Sequence, residues 1–140
     1  SWLDTYVSAV LGRKASHVTI LDVRPLTSVA DAFIICSGRS HRQVSAIADF
    51  TRRELKKQKI QPLSVEGLKE GHWVLLDYGH VIIHIFYEPV REFYDLEGLW
   101  IDARRVITES LLQWEHVHAK ELHDERSPLL YAHYPGWLGY

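Results

Sequence analysis

A chain of 140 residues that is 46% hydrophobic and 24% charged, with a formal net charge of −2, has the size and composition of one soluble globular domain with a core of its own. One cysteine, Cys36, excludes an internal disulfide, and no apolar run approaches membrane-spanning length; Val81-Ile82-Ile83, for instance, is broken by His84. The lone cysteine and the lack of a secretory signal fit a cytoplasmic protein.

The charge is unevenly spread. From Arg39 to Lys59 seven Lys and Arg stand against Asp49 and Glu54, whereas from Glu88 to Glu125 ten acids stand against four bases. Such asymmetry suits a partner with charge of its own, although runs of charge are more often solvated helix faces.

Trp2, Leu3, Tyr6, Val7, Val10 and Leu11 recur at helical spacing and predict a first helix, from Trp2 to Lys14, weakened at its end by Gly12. The β-branched run Val18 to Val23 predicts a strand, and Arg24 to Asp31 a loop around Pro25. Ala32 to Ser37 reads as a strand apolar on both faces. Ser40-His41-Arg42-Gln43 is a capping box. Behind it Val44, Ile47, Ala48, Thr51 and Leu55 mark one helix face, ended before Pro62. Leu63 to Glu66 is a short strand.

From Trp73 to Tyr87 two strands flank Gly79-His80, and glycine at the first central position suits a two-residue type II′ hairpin turn. That turn sets the register: Tyr78 opposite Val81, Leu76 opposite Ile83 and Val74 opposite Ile85 form an apolar core face. On the other face Asp77 meets Ile82, Leu75 meets His84 and Trp73 meets Phe86. After Pro89 a helix is expected with Val90, Phe93, Tyr94, Glu97 and Trp100 on one side; helical pattern resumes with Ile107, Leu111, Trp114 and Val117. Ser127 to Tyr140 is rich in Pro, Gly and aromatics and is not regular structure. The fold class is therefore α/β (α+β): a single-domain mixed sheet of about five strands with flanking helices, too few to cover both faces easily.

These residues resemble the Iojap family of ribosomal silencing factors. The resemblance runs through Leu21-Asp22-Val23, Ala30 to Gly38, Ser40 to Val44 and Ile47-Ala48. It continues through Val65-Glu66-Gly67, Trp73 to Gly79, Val81 to Phe86 and Arg91 to Trp100. It covers residues 1–102, which sets residues 103–140 apart as a C-terminal helical extension and aromatic tail. It implies a nucleotidyltransferase-like fold without catalytic acids and no enzymatic activity. It further implies binding to the large ribosomal subunit through its ribosomal protein fourteen, on the face where the two subunits meet. Occupying that face keeps the small subunit from joining and represses translation; mitochondrial and plastid relatives act in large-subunit assembly. Where many members carry an acid, this chain has His80.

The residues bear on other chemistries as well. Gly38-Arg39-Ser40 after a strand could seat a phosphate, but no Asp-x-Asp or Glu-x-Asp exists to hold metal for phosphoryl transfer, so Ser40 reads as a helix cap. His116, His118 and His123 lie near Glu115 and Glu121, yet two ligands on one face do not close a zinc shell. Cys36 sits in an apolar strand with no base beside it. No catalytic residue, metal or cofactor is expected.

The expected partner-binding residues are Trp73, Leu75, Asp77, His84 and Phe86 on the hairpin, with Glu92, Tyr94 and Asp95 on the acidic helix. A Trp, Phe and Leu cluster edged by polar groups has the composition of an interface centre, and the alternative is a Trp packed under a helix. Arg39, Arg42, Arg52 and Arg53 are candidates for incidental ribosomal RNA contact, without the aromatic set that reads sequence. A homodimer of the free protein is a further candidate assembly.

Overall fold

The structure, a computed structural model, describes residues 2–119. Its elements are α1 (Asp4–Leu11), β1 (Ser16–Asp22), β2 (Ala32–Gly38), α2 (His41–Lys57), β3 (Ser64–Glu66), β4 (Trp73–Asp77), β5 (Val81–Tyr87), α3 (Glu88–Tyr94), α4 (Leu96–Leu99), β6 (Arg104–Arg105) and α5 (Glu109–Val117). The expected aromatic tail, with Glu121 and His123, lies outside the described residues. No helix among the described residues is long and apolar enough to cross a membrane.

The hairpin sets the registers. Trp73 pairs with Phe86, Leu75 with His84 and Asp77 with Ile82, as the two-residue turn requires. Gly79 takes φ +88 in that turn, and its N–H donates to the Asp77 carboxylate at 2.8 Å. The sheet has six strands in the order β3-β4-β5-β2-β1-β6; β2 and β5 run parallel at its centre and the other pairs are antiparallel. The sixth strand is the two-residue β6, too short to be seen by alternation.

On one face Val18, Ile20, Ile34, Cys36, Val74, Leu76, Ile83 and Ile85 pack against α1, α2 and Leu111 of α5. The capping box forms at the start of α2: the Ser40 hydroxyl accepts from the Gln43 amide at 3.0 Å, and Gln43 accepts from the Arg39 amide. The second face holds Leu21, Phe33, Ile35, Ile82 and Phe86, covered by Val90, Leu96 and Trp100. It is therefore closed over β5, β2 and β1, half-open at β4, where Trp73, Leu75 and Asp77 are half-buried, and open at β3, where Ser64 and Glu66 are exposed.

The expected continuous helix after Pro89 is broken. Asp95 adopts the left-handed conformation (φ 46, ψ 56), ends α3 and caps α4, its carboxylate accepting from the Gly98 amide. The break turns Leu96 onto the sheet while Phe93, Tyr94 and Leu99 stay exposed. Arg91 fastens α3. Only 2% exposed, it donates to the His17 carbonyl, the Ser37 and Thr19 hydroxyls and the Glu97 carboxylate. Packing continues across residue 102: β6 pairs with β1, and Ser110 donates to the Asp4 carboxylate at the α1–α5 contact.

Candidate docking surface

Trp73 opens β4 at the half-open edge of the second face. Gly67 admits it: at φ +78 this residue lies where a Cβ would overlap the Trp73 carbonyl oxygen. The indole packs on Phe86 (ring centroids 4.7 Å apart) and on Tyr94 (5.2 Å), and its N–H donates to Nδ1 of His84 at 3.1 Å. Between Trp73 and α3 lies an open groove of ≈ 470 Å³ lined by Gly67, Glu70, His72, Trp73, Pro89, Val90, Phe93 and Tyr94.

Exposure decides what this surface can do. Phe93 is 81% exposed, Tyr94 53% and Leu99 77%, so large apolar groups face solvent on consecutive turns of α3 and α4. Glu70 lines the groove, and Glu92 and Asp95 flank Phe93 and Tyr94 in the chain; all three are exposed. An aromatic centre with an acidic rim has the form of a protein interface, and the rim suits a basic partner.

Six of the eight residues expected to bind a partner present surface here: Trp73, Leu75, Asp77, Glu92, Tyr94 and Asp95. The other two do not. Phe86 is fully buried and His84 only 5% exposed, because α3 and α4 fold back over β5. They support Trp73 from beneath instead of meeting a partner. Burial pushes the His84 imidazole down to about 4, so it is neutral and its Nδ1 is free to accept from the indole. Asp77 spends one oxygen on the hairpin turn. Helical spacing places Phe93 on a helix face without showing its exposure, and it does not mark Leu99. The Asp95-x-x-Gly98 capping signature could have exposed both, since it breaks the helix and turns them outward.

The basic candidates fall into two groups. Arg39 and Arg42 sit at the start of α2, and Arg52 and Arg53 lie about 15 Å further along the same helix. Ser40 is a helix cap, and burial pushes the Cys36 thiol up to about 12. Asp95 and Glu97, two residues apart, are engaged by Gly98 and Arg91. No cluster of three or more metal-ligating side chains occurs among the described residues. His80, at the exposed hairpin tip, packs on Trp2 and Tyr6, with its Nε2 3.3 Å from the Tyr6 hydroxyl.

Comparison with known proteins bears on the whole chain. The profile of the family "Ribosomal silencing factor during starvation" matches residues 2–129. Ribosomal silencing factor RsfS of Halalkalibacterium halodurans is 38% identical over 110 residues, covering 79% of this chain and 94% of that one. Mitochondrial assembly of ribosomal large subunit protein 1 of Mus musculus is 30% identical over 101 residues, covering 70% of this chain and 44% of that one. A crystal structure of a Bacillus halodurans protein superposes with a TM-score of 0.68 at 36% identity, covering 76% of this chain and 97% of the other. A profile match along nearly the whole chain, with a relative aligned over almost its full length, shows that this chain belongs to the ribosomal silencing factor family.

Proposed function

We propose that this chain represses translation in the cytoplasm by docking on the large ribosomal subunit, at ribosomal protein fourteen, where its bulk keeps the small subunit from joining. One observation carries the reading: Phe93 and Tyr94 are exposed on a groove walled by Trp73 and lined by Glu70, with Leu99 exposed on the neighbouring α4. Burying such aromatic groups supplies affinity, and the carboxylates speed the approach to a basic protein. Steric occlusion needs no bond made or broken, which is consistent with a surface whose acids are all occupied or solvated.

The test is co-sedimentation with isolated large subunits, followed by a subunit-joining assay. The wild-type chain binds and lowers joining, and Phe93→Ala weakens both effects together. Joining that proceeds normally on subunits carrying the bound protein would sink the occlusion mechanism.

A second reading, in which the same surface serves large-subunit assembly, is favoured by the similarity to the Mus musculus mitochondrial assembly of ribosomal large subunit protein 1. Depletion that leaves immature large subunits while added protein leaves joining unchanged would select it.

A further inference from the structure

The opposite face of the sheet carries a chemically different surface. Arg52, Arg53 and Lys56, on the last turns of α2, line an open groove of ≈ 400 Å³ with Asp49 and Gln61. Arg13 lies over the ring of Phe50, 5.3 Å from its centroid, and adds its charge to the same stretch of helix. Glu54, the other acid of α2, is taken up by Lys57 at 2.6 Å. Arg13, Arg52, Arg53 and Lys56 have no ion-pair partner within 4 Å among the described residues. The Nε of Arg52 is in addition buried without a hydrogen-bond acceptor. Clustered cations repel one another, and a guanidinium donor withdrawn from water lacks the bond it would otherwise make.

The chemistry of the surface selects its partner. Between Val29 and Leu63 no large apolar side chain is exposed, so the helix offers no anchor of the kind that centres a protein interface. Planar guanidinium forks and a flexible ammonium along a groove fit successive phosphates. Among the described residues no stacking set accompanies them, so base identity goes unread. We propose that this face of α2 binds an RNA phosphate backbone, independently of sequence. The sheet separates it from the docking groove, so one molecule can hold a protein on one side and RNA on the other. The inference therefore stands apart from the identity of the docked protein.

The experiment measures anisotropy of a short labelled RNA of arbitrary sequence against the full chain at increasing salt, with no ribosome present. Three phosphate contacts predict a log–log salt slope near −2, so a fourfold rise in salt weakens binding roughly fifteenfold. Arg52→Gln, Arg53→Gln and Lys56→Gln together weaken low-salt binding by tenfold or more and remove most of the slope. The pair Arg53→Gln and Lys56→Gln, which spares half-buried Arg52, reduces the slope's magnitude by about 1.4 with an unchanged melting curve. Phe93→Ala binds RNA like the wild type. An absence of RNA binding at low salt would overturn the proposal, as would a slope unaffected by either set of substitutions. Competition by polyglutamate more effective than by RNA of equal charge would assign the face to an acidic protein instead.

Discussion

The indole N–H of Trp73 donates to Nδ1 of His84, 3.1 Å away diagonally across the β4–β5 pair, so the wall of the groove beside α3 hangs on a buried neutral imidazole. This gives the fold a pH dependence of known sign. Burial holds the folded His84 at about 4 against an ordinary 6.5, so as pH falls the unfolded chain takes up the proton first. The contribution is fully present above about 6.5 and is lost on the way down to 4, amounting to about 3 kcal/mol. Denaturant titrations at a series of pH values should show this loss in the wild type and a flatter profile in His84→Phe. Parallel profiles would mean that His84 is not the titrating group.

Trp73 serves fold and surface at once. Trp73→Ala uncovers Phe86 and strips His84 of its donor, so it should cost about 2 kcal/mol and lower Tm by roughly 8 °C. Trp73→Phe keeps ring contact with Phe86 and Tyr94 and loses only the N–H. It should bind large subunits within about fivefold of the wild type, whereas Trp73→Ala, compared per folded molecule, should lose about thirtyfold or more. Equal binding by all three proteins would place the interface elsewhere.

Phe93 and Leu99 separate binding from stability better, because so little of either is buried. Phe93→Ala and Leu99→Ala should leave Tm within a degree or two of the wild type and weaken large-subunit binding by about tenfold each. Calorimetric melts alongside the co-sedimentation assay decide it; a collapse in Tm with unchanged affinity would contradict the exposed placement of α3 and α4.

The acidic rim should act on rate. Glu92→Lys is a clean reversal, but Asp95 sits in the left-handed region and caps α4, so Asp95→Asn is the substitution that removes charge and keeps the turn. Stopped-flow association should slow severalfold at low salt for the pair, with the gap closing as salt rises. A defect independent of salt would point to damage at the α3–α4 break.

Arg91 tests how the α3–α4 segment is held. Arg91→Lys keeps the charge but not the fork, and strands some combination of the His17 carbonyl, Ser37, Thr19 and Glu97. A loss of roughly 2–4 kcal/mol in unfolding free energy is expected. A variant as stable as the wild type would show that α3 is held by its apolar contacts alone.

What the sequence made legible was whatever local chemistry determines. Gly79-His80 dictates the β4–β5 register, and Ser40 with Gln43 dictates where α2 begins; both are visible in four residues or fewer. The hairpin's second face was legible in its pairing but not in its burial, because the cover over His84 and Phe86 comes from a segment whose path turns on one left-handed residue. An aspartate in the left-handed conformation leaves little mark on periodicity, so α3 and α4 read as one helix and the outward turn of Phe93 and Leu99 was hidden. Arg91 was equally obscure: nothing near it in sequence announces that its partners lie on β1, β2 and α4. The basic residues were legible as a run, but their division into two sites follows from the length of α2.

The parallel pairing of β2 with β5 has a consequence for synthesis. Residues 32–38 are buried on both faces, yet their central partner is residues 81–87, encoded after all of α2, β3 and β4. At about 5–20 residues per second, translation leaves that apolar strand waiting for about 2–9 seconds, with β1 on one side and an open hydrogen-bonding edge on the other. A protein that acts on ribosomes thus spends its most aggregation-prone moments still attached to one.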